Sequence, residues 1–399
     1  MDYRFTAKEE AWWQEVEDFI KAELPDGWVD ECLTWPGGYG ILPMFEEEYI
    51  SFCQQFWKKL GKKGWLSMSW PKWNTEKRTH IEQAIFSYIM SYYRAPAGNV
   101  ATGIGGATID LFGSDELRNE WLPKIASGDI SFWLAYSEPN SGSDLASLQT
   151  KAVEDGDDII INGSKIWSSG AHVSDCAWMV VRTDSNVEKK YQGITFIIVP
   201  NDLPGITIRP IVNICDIHSF NEVFFDNVRV PKNNIVGEMN QGWYYLMVAL
   251  GYERLAVPMG GFKRNFEELV QYTKQTERNS KPLSEDTLVR SKLADIAIKI
   301  EIVNKFYWQV AWQSDKGISA DTDASILKLI STEVSRDLAF AAMDIMGPYG
   351  QLSTDSKWTA LRGRIQLGYL DCISAIVGAG TSEIQRNIIA MRGLGLTRK

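Results

Sequence analysis

The feature that most constrains the fold of this chain is a change, made twice, in the spacing of its apolar residues. Through 1–129 they recur at three- and four-residue intervals, which predicts helices. Through 130–232 short β-rich runs bounded by turn residues replace that pattern, and the helical spacing returns from 233 to 399. This order predicts an α+β protein with an N-terminal helical domain, a middle antiparallel β domain and a C-terminal four-helix bundle.

The same patterns predict the individual elements. Thr6, with Glu9 three residues later, predicts an N-cap and a capping box at the first helix. The predicted N-terminal helices after it lie near 45–62, 78–95, 99–112 and 114–126. The predicted strands are 132–136, 158–162, 177–182, 194–199 and 222–225, and the predicted C-terminal helices are 242–276, 284–315, 321–347 and 381–392.

Charge and composition exclude several classes of protein. The net charge is −10 and no block of consecutive basic residues occurs, which argues against nucleic acid and against an anionic membrane surface as partners. The five cysteines are scattered and the three histidines lie apart from them, so we expect no disulfide framework and no metal site. The chain shows no signal-peptide pattern and no apolar run of about eighteen residues. We therefore expect a soluble, cytoplasmic protein.

A carboxylate at the end of an apolar stripe is the leading catalytic candidate. Leu246, Ala249, Leu250 and Glu253 share one face of a predicted helix. An apolar surrounding disfavours the ionised form, so the pKa of Glu253 should rise toward the range of a general base. Arg254 points about 100° away on a helix and need not neutralise Glu253. The alternative is a solvated glutamate on the helix edge.

A serine-rich loop, 136–144, follows a predicted strand directly. Tyr136, Ser137, Ser141 and Ser143 offer hydroxyl groups in a turn shaped by glycine and proline. Such a loop can bind a polar heterocycle or a phosphate, and it can equally be an ordinary connection.

Two further segments are candidate sites. In 162–170 a glycine turn precedes a strand carrying Trp167, Ser168 and Ser169, which suits a flat ring with a polar edge; a core tryptophan is the alternative. In 378–385 small residues lead into a helix. Ser382 and Gln385 have capping-box spacing there, and the N–H groups of the helix start could face an anion.

Together these motifs resemble the acyl-CoA dehydrogenase family over essentially the whole chain. The resemblance is carried by Ser137-Glu-Pro-Asn-Ser-Gly-Ser-Asp144, Asn162-Gly-Ser-Lys-Ile-Trp167 and Gly380-Thr-Ser-Glu-Ile-Gln385, in this order. It implies FAD bound at a subunit interface and an acyl-CoA thioester oxidised to its 2,3-enoyl form. It also implies an electron-transfer flavoprotein as the electron acceptor.

The resemblance further implies roles for individual residues. Tyr136 and Ser137 would line the flavin, and Ser143 would reach FAD or the CoA portion of the substrate. Trp167 and Ser169 would contact the isoalloxazine, with Ser168 between them and Ser169 near N5. Thr381 and Glu383 would lie near the ribityl and phosphate groups, while the N–H of Ala379 and a ribityl hydroxyl would polarise the thioester carbonyl. Arg254 would contribute to the electrostatics of the substrate pocket.

The position of the base departs from many family members. They carry a glutamate immediately before the Gly-Thr of the last motif, where this chain has Ala379. The isovaleryl-CoA and long-chain branch instead places its base on the helix that corresponds to 242–276, in a pattern ending Glu-Arg-Leu. This chain has Glu253-Arg254-Leu255 there, so the resemblance implies that Glu253 removes the α-proton while hydride leaves to flavin N5.

The FAD contacts of homotetrameric members also differ. The positions that match their arginine, phenylalanine and glutamine are Thr276, Asn279, Asp344 and Pro348. A carboxylate near a pyrophosphate is repulsive, which favours a partner subunit that supplies the missing contacts. The chain is similar in this respect, and in its tail 383–389, to heteromeric dehydrogenases of bacterial steroid side-chain degradation and to the pimeloyl-CoA dehydrogenase large subunit. A homo-oligomer with altered FAD contacts is the alternative.

Other functions on the same fold remain open at this point. The chain could be a non-catalytic or FAD-completing subunit, which Ala379 favours and Glu253 opposes. It could also be a flavin oxidase or monooxygenase. The sequence leaves the acyl group unassigned, although lipid or steroid catabolism fits the resemblance.

Overall fold

The computed structural model of the 399-residue chain describes residues 3–36, 47–74, 77–252, 257–354 and 356–397. The chain forms two compact units. The first contains 1–43, 79–97 and 254–399, and the second contains 44–78 and 98–253. Each unit therefore combines segments that are distant in sequence. In the described residues, no helix is long and apolar enough to cross a membrane.

The first unit is helical. Thr6 caps its first helix and forms the predicted capping box, with the Thr6 N–H bonded to the Glu9 carboxylate at 2.7 Å. The helices are α1 Ala7–Glu23, α2 Trp28–Glu31, α4 His80–Tyr92, α8 Met259–Gln275, α9 Thr287–Asp315, α10 Asp321–Met346, α11 Arg364–Val377 and α12 Ser382–Ile388. A short hairpin of β8 Glu277–Arg278 and β9 Lys281–Pro282 follows α8.

Two predictions for the C-terminal helices are corrected. The predicted helix 242–276 is not continuous, because Pro258 lies in a non-helical conformation directly before α8. Helix α11 was missed. It buries Ile365 and Cys372 but exposes Tyr369 and Ile373, so its apolar residues do not form one clear stripe.

The second unit places helices around a sheet. The helices are α3 Glu47–Lys62, a π-helix Ala101–Gly105, α5 Gly106–Phe112, α6 Asp115–Ala126 and α7 Gly242–Tyr252. The strands are β1 Phe132–Ala135, β2 Lys151–Asp155, β3 Asp158–Lys165, β4 Cys176–Arg182, β5 Ile194–Pro200, β6 Ile206–Val212 and β7 His218–Pro231. The five predicted strands are confirmed.

The sheet is mixed, which corrects the prediction of a purely antiparallel domain. Within the described residues the strand order is β1-β4-β2-β3-β7-β6, and β5 pairs with β4. Most pairs are antiparallel, but β1 and β2 each pair with β4 in the parallel direction. Strands β2 and β6 were not predicted, because most β2 side chains are polar and exposed and β6 contains Pro210.

Strand β4 is buried on both faces of the sheet, and this sets the position of the core. Trp178 and Val180 point into one apolar cluster, which includes residues of α5 and α6. Ala177, Met179 and Val181 point into a second cluster on the opposite face. Alternation along the strand therefore supplies both cores, and an uninterrupted apolar run is what such a strand requires.

A half-buried carboxylate joins three parts of the first unit. Glu268 of α8 accepts hydrogen bonds from Arg94 at 2.9 Å, Arg264 at 2.8 Å and Arg364 at 2.8 Å. The side chains of Arg94 and Arg364 are only 3% and 4% exposed. Burial alone would raise the pKa of Glu268, but the guanidinium groups of Arg94, Arg364 and Arg264 outweigh it and lower that pKa to about 2.

We predict that Glu268→Gln destabilises the first unit in a pH-dependent way. The folded-state pKa of about 2 lies below the ordinary 4.5, so the stabilisation is present above pH 4.5 and is lost as the pH falls toward 2. We expect the free energy of unfolding to fall by about 3 kcal/mol near neutral pH. Urea titrations at several pH values test this. Glu267→Gln is the control and should cost less than about 1 kcal/mol, because that side chain is 45% exposed.

Candidate functional site

A buried ion pair joins two of the sequence motifs in the second unit. Lys165, the last residue of β3, places its Nζ 2.8 Å from Oε1 of Glu138, in the loop after β1. The Lys165 side chain is 0% exposed and also donates to the carbonyl oxygen of Tyr136 at 3.2 Å. The Glu138 carboxylate accepts the N–H groups of Gln149 and Thr150 at 2.6 and 2.9 Å. The pair therefore sets where the 136–144 loop lies relative to the end of β3.

Burial and charge act in opposite directions on this pair. Burial lowers the pKa of Lys165 to about 8, although the Glu138 carboxylate opposes this shift. Burial by itself would raise the pKa of Glu138, but Lys165 and the donated hydrogen bonds reverse it and lower that pKa. Both groups remain charged near neutral pH.

Gly163, the glycine of the second motif, allows two backbone segments to lie close together and does not form the predicted turn. Gly163 lies inside β3 at a register shift in its pairing with β7, and its φ is +147°. A Cβ there would stand 2.8 Å from the backbone of Thr150. Glycine thus allows β3 to pass close to Thr150, whose N–H is held by Glu138.

Trp167 lies beyond the end of β3 and not on a strand, which corrects the prediction. Its φ is +59°, and its side chain is 58% exposed, so it is not a core tryptophan. The ring contacts Phe220 edge-on, with a centroid distance of 6.2 Å. Ser168 is fully buried, and its hydroxyl has no hydrogen-bond partner among the residues that the structure describes. Ser169 is half-buried.

The first loop lies next to this segment. The N–H of Ile166 donates to the carbonyl oxygen of Ser137 at 2.9 Å. Tyr136 and Ser137 are half-buried, and Ser143 is exposed. The structure therefore brings Tyr136 and Ser137 close to the Trp167 segment, as a common site requires.

The third motif belongs to the first unit. Ala379 and Gly380 have φ values of +52° and +84°, and Thr381 is the N-cap, accepting the N–H of Ile384 at 3.2 Å. The cap is thus Thr381 and not Ser382, because Thr381 has the non-helical backbone of an N-cap and Ser382 is already the first residue of the helix. Glu383 is exposed, and bonds from its own backbone N–H and from Thr381 lower its pKa.

Lys328 holds this turn, and no sequence motif marks it. Nζ of Lys328, on α10, donates to the carbonyl oxygens of Gly380 at 2.7 Å and Ala375 at 3.2 Å. Burial lowers its pKa to about 8. Its contacts arise from residues 47 and 52 positions away, so no local pattern could reveal them.

The positions that differ from homotetrameric relatives cluster in space. Thr276, Asp344 and Pro348 line one cavity of about 380 Å³ together with Arg278, while Asn279 lines a neighbouring cavity of about 400 Å³. The Asp344 carboxylate is 64% exposed and pairs with Lys292 at 2.7 Å, which partly offsets its charge.

Glu253, Arg254 and Leu255 lie outside the described residues. Helix α7 is described as far as its end at Tyr252. In the predicted stripe, Leu246 and Ala249 are buried, at 1% and 0% exposure, whereas Leu250 is 37% exposed. The apolar stripe that precedes Glu253 is therefore confirmed at two of its three positions.

Comparison with known proteins identifies the class. Models of the acyl-CoA dehydrogenase N-terminal, middle and C-terminal domains match residues 39–129, 134–228 and 240–394. Acyl-CoA dehydrogenase FadE26 of Mycobacterium tuberculosis is 32% identical over 409 residues, which cover 100% of this chain and 99% of that protein. The chain belongs to the acyl-CoA dehydrogenase family, and the resemblance drawn from its motifs is confirmed.

Solved structures agree with the predicted architecture. A structure described as the Tcur3481–Tcur3483 steroid ACAD shares 30% identity and a TM-score of 0.89 with this chain, covering 100% of both chains. The ChsE4–ChsE5 complex from Mycobacterium tuberculosis shares 30% identity and a TM-score of 0.87, again over 100% of both. The order of N-terminal helices, middle β domain and C-terminal helices is confirmed.

We predict that removing only the charge of Lys165 lowers the free energy of unfolding more than removing the charges of both Glu138 and Lys165. Lys165→Met leaves a buried carboxylate unpaired and should lower the free energy of unfolding by about 3–5 kcal/mol. Adding Glu138→Gln should recover part of that loss in a double-mutant cycle measured by urea unfolding. Lys190→Met is the control, since it breaks the exposed Lys190–Asp144 pair of the same loop and should cost less than about 1 kcal/mol. Strictly additive single-variant effects would contradict the coupling.

Proposed function

We propose that the chain catalyses the FAD-dependent α,β-dehydrogenation of an acyl-CoA thioester to its 2,3-enoyl form, in an assembly with a paralogous subunit. The observation that carries this proposal is the exposed Trp167, held in a left-handed turn beside Ser168 and Ser169. Family membership supplies the reaction class, and the site residues supply the means of binding a flat, polar-edged ring.

The residues of the second unit fit an isoalloxazine. Trp167 presents an exposed aromatic face, and aromatic faces stack on planar ring systems. The buried Ser168 hydroxyl lacks a partner in the described residues, and Tyr136 and Ser137 are half-buried nearby. FAD, when bound, supplies a hydride acceptor at N5. The role of Trp167 and Ser169 is to orient that ring, and Ser143 contacts FAD or the CoA portion of the substrate.

Glu253 is the proposed base. It follows the buried residues Leu246 and Ala249 at helical spacing, and the usual alternative position is Ala379, which cannot accept a proton. A glutamate in apolar surroundings has a raised pKa and can remove the weakly acidic α-proton of a thioester. Arg254 is assigned to the electrostatics of the substrate pocket.

The thioester carbonyl needs hydrogen-bond donors as enolate charge develops. The proposed protein donor is the N–H of Ala379, supported by the constrained turn in which Ala379 and Gly380 both have positive φ. Lys328 anchors that turn by its bond to the Gly380 carbonyl oxygen. Thr381 and Glu383 are assigned to the ribityl and phosphate region of FAD.

The residues of the cavity at the β8–β9 hairpin are the reason for proposing a partner subunit. At the position of the family's cationic FAD contact the chain has Thr276, and it adds the carboxylate of Asp344. The Arg278 guanidinium in the same cavity donates to the carbonyl oxygen of Ile345 at 2.9 Å. That carboxylate would repel a pyrophosphate despite its pairing with Lys292. The two similar solved structures are named as two-protein assemblies, which supports a heteromer. The proposed electron acceptor is an electron-transfer flavoprotein, and steroid side-chain acyl-CoAs are the proposed substrate class.

We predict that Glu253→Gln retains the fold and FAD but loses turnover. General-base catalysis contributes about 10²- to 10⁴-fold, so kcat should fall by about that factor. Steady-state kinetics with an artificial acceptor measure it, and flavin absorbance reports FAD content. Glu154→Gln, which breaks a surface pair with Lys232, is the control with wild-type kinetics expected. Retained activity in Glu253→Gln would remove Glu253 from the role.

We predict that the chain purified alone contains well under one FAD per chain. Co-expression with a paralogous acyl-CoA dehydrogenase subunit should raise the flavin content and yield turnover with a panel of acyl-CoAs. Flavin absorbance against protein concentration gives the stoichiometry, and light scattering gives the mass of the assembly. A homo-oligomer of this chain with one FAD per chain and full turnover would contradict the partner. Peroxide formation that matches substrate consumption would instead indicate an oxidase.

A further inference from the structure

Asn221 of β7 is a buried hub beside the Trp167 segment. It is 0% exposed, and its carboxamide makes three hydrogen bonds. Nδ2 lies 2.9 Å from the carbonyl oxygen of Ser168 and 3.0 Å from Nδ1 of His172, and Oδ1 lies 2.7 Å from Nε2 of His218. All of these residues belong to the second unit.

The chemistry of these contacts assigns the protons. A backbone carbonyl oxygen only accepts, so the atom of Asn221 that faces Ser168 must be the NH₂ group. Its second hydrogen points to His172 Nδ1, which must therefore be an unprotonated acceptor. The Oδ1 atom in turn requires His218 to carry a proton on Nε2. His172 is thus neutral whenever all three bonds are made.

The two imidazole rings stack and favour the same assignment. Their centroids are 3.8 Å apart, with an angle of 17° between the planes. Burial, together with the neighbouring His218, lowers the pKa of His172 to about 4. A proton on Nδ1 of His172 would face the N–H group of Asn221, and two donors cannot form a hydrogen bond with each other.

Main-chain hydrogen bonds also join the two segments at Asn221. We call these bonds, together with those of the Asn221 side chain, the clasp. Beyond the end of β3, the N–H of Ser168 donates to the Asn221 carbonyl oxygen at 3.0 Å, and the N–H of Gly170 donates to that of Ser219 at 3.1 Å. Trp167 precedes this clasp with a φ of +59°, a conformation that a non-glycine residue adopts only when its surroundings impose it. Ser168 consequently points inward, while Trp167 remains exposed.

We propose that Asn221, clasped between His172 and His218, is the positioning residue that holds the Ser168 backbone and so orients Trp167 and Ser169 toward their planar ligand. The identity of that ligand as an isoalloxazine rests on the proposed function. The clasp itself stands on the contacts above. Asn221 acts through the Ser168 carbonyl and is not assigned any contact with substrate or flavin.

Imidazole ¹⁵N NMR of the FAD-free and FAD-bound protein tests the clasp directly, because the chain has only three histidines. Near neutral pH we expect Nδ1 of His172 to be unprotonated and Nε2 of His218 to be protonated. Asn221→Leu should abolish this difference, whereas His80, which bonds Asp315 in the first unit, should be unchanged. Hydrogen exchange of the Ser168 and Gly170 amides should become about tenfold faster in the variant.

The holoenzyme provides the functional readout. Asn221→Leu should weaken FAD binding about tenfold, change the visible circular dichroism of the flavin, and lower kcat with little effect on KM for the acyl-CoA. Asn234→Leu is the matched control. Asn234 is also buried in this unit and donates to the Ile198 carbonyl oxygen at 3.0 Å, so that variant should lose stability but keep the flavin spectrum.

Distinct outcomes separate the two proposals. Unchanged imidazole shifts and amide exchange in Asn221→Leu, or an equal flavin change in Asn234→Leu, would overturn the positioning role. A wild-type protein that binds no FAD in any assembly would refute the proposed function, and the imidazole and exchange data would then decide the clasp alone. If Asn221→Leu does not fold, His172→Gln should preserve the FAD-binding signature because its amide oxygen can accept from Asn221, and His172→Leu should lose it. Equal behaviour of this pair would also refute the role.

Discussion

The arrangement of the candidate site depends on a charge pair removed from water. Lys165 is fully buried, and an ammonium group in that position is tolerated only because Glu138 lies 2.8 Å away. Glu138 in turn is held by two backbone N–H groups from the chain just before β2. The penalty for separating these charges keeps the 136–144 loop and the end of β3 in one relative position. The segment from Trp167 to Ser169 begins directly after that point, so its placement inherits this constraint.

In the first unit, ion pairs with little exposure to water also hold together segments that are distant in sequence. Glu268 draws Arg94, Arg264 and Arg364 together, and these come from α8, from the chain just after α4 and from the start of α11. Lys328 likewise holds the turn at Gly380 from α10. In both units, buried charges with well-defined partners occur where segments distant in sequence meet. Apolar packing supplies most of the stability, while these polar contacts specify which segments meet.

Local patterns predicted much of the fold, and their failures have physical causes. The Thr6–Glu9 capping box and five strands were predictable because capping and the β-propensity of short runs between turn residues both act over a few residues. Strand β2 was not predicted because most of its side chains are polar and exposed, and α11 was not predicted because its apolar residues face both the core and the surface. Pro258 indicates the break before α8, but the apolar residues on both sides of it keep helical spacing, which predicts one continuous helix. The sequence predicts Trp167 on a strand because tryptophan rarely adopts a positive φ. Its left-handed backbone conformation therefore cannot be predicted from its residue type.

The sequence by itself determined the order of helices and sheet, the family, and the residue types available for chemistry, including an alanine at 379 and a glutamate at 253. These follow from local periodicity and from short motifs. Only the tertiary structure decided that Glu138 meets Lys165, that Asn221 bridges His172 and His218, and that Thr276 and Asp344 line one cavity. Those contacts join residues distant along the chain, and their energies come from burial and from hydrogen-bond geometry, neither of which any local stretch of sequence specifies.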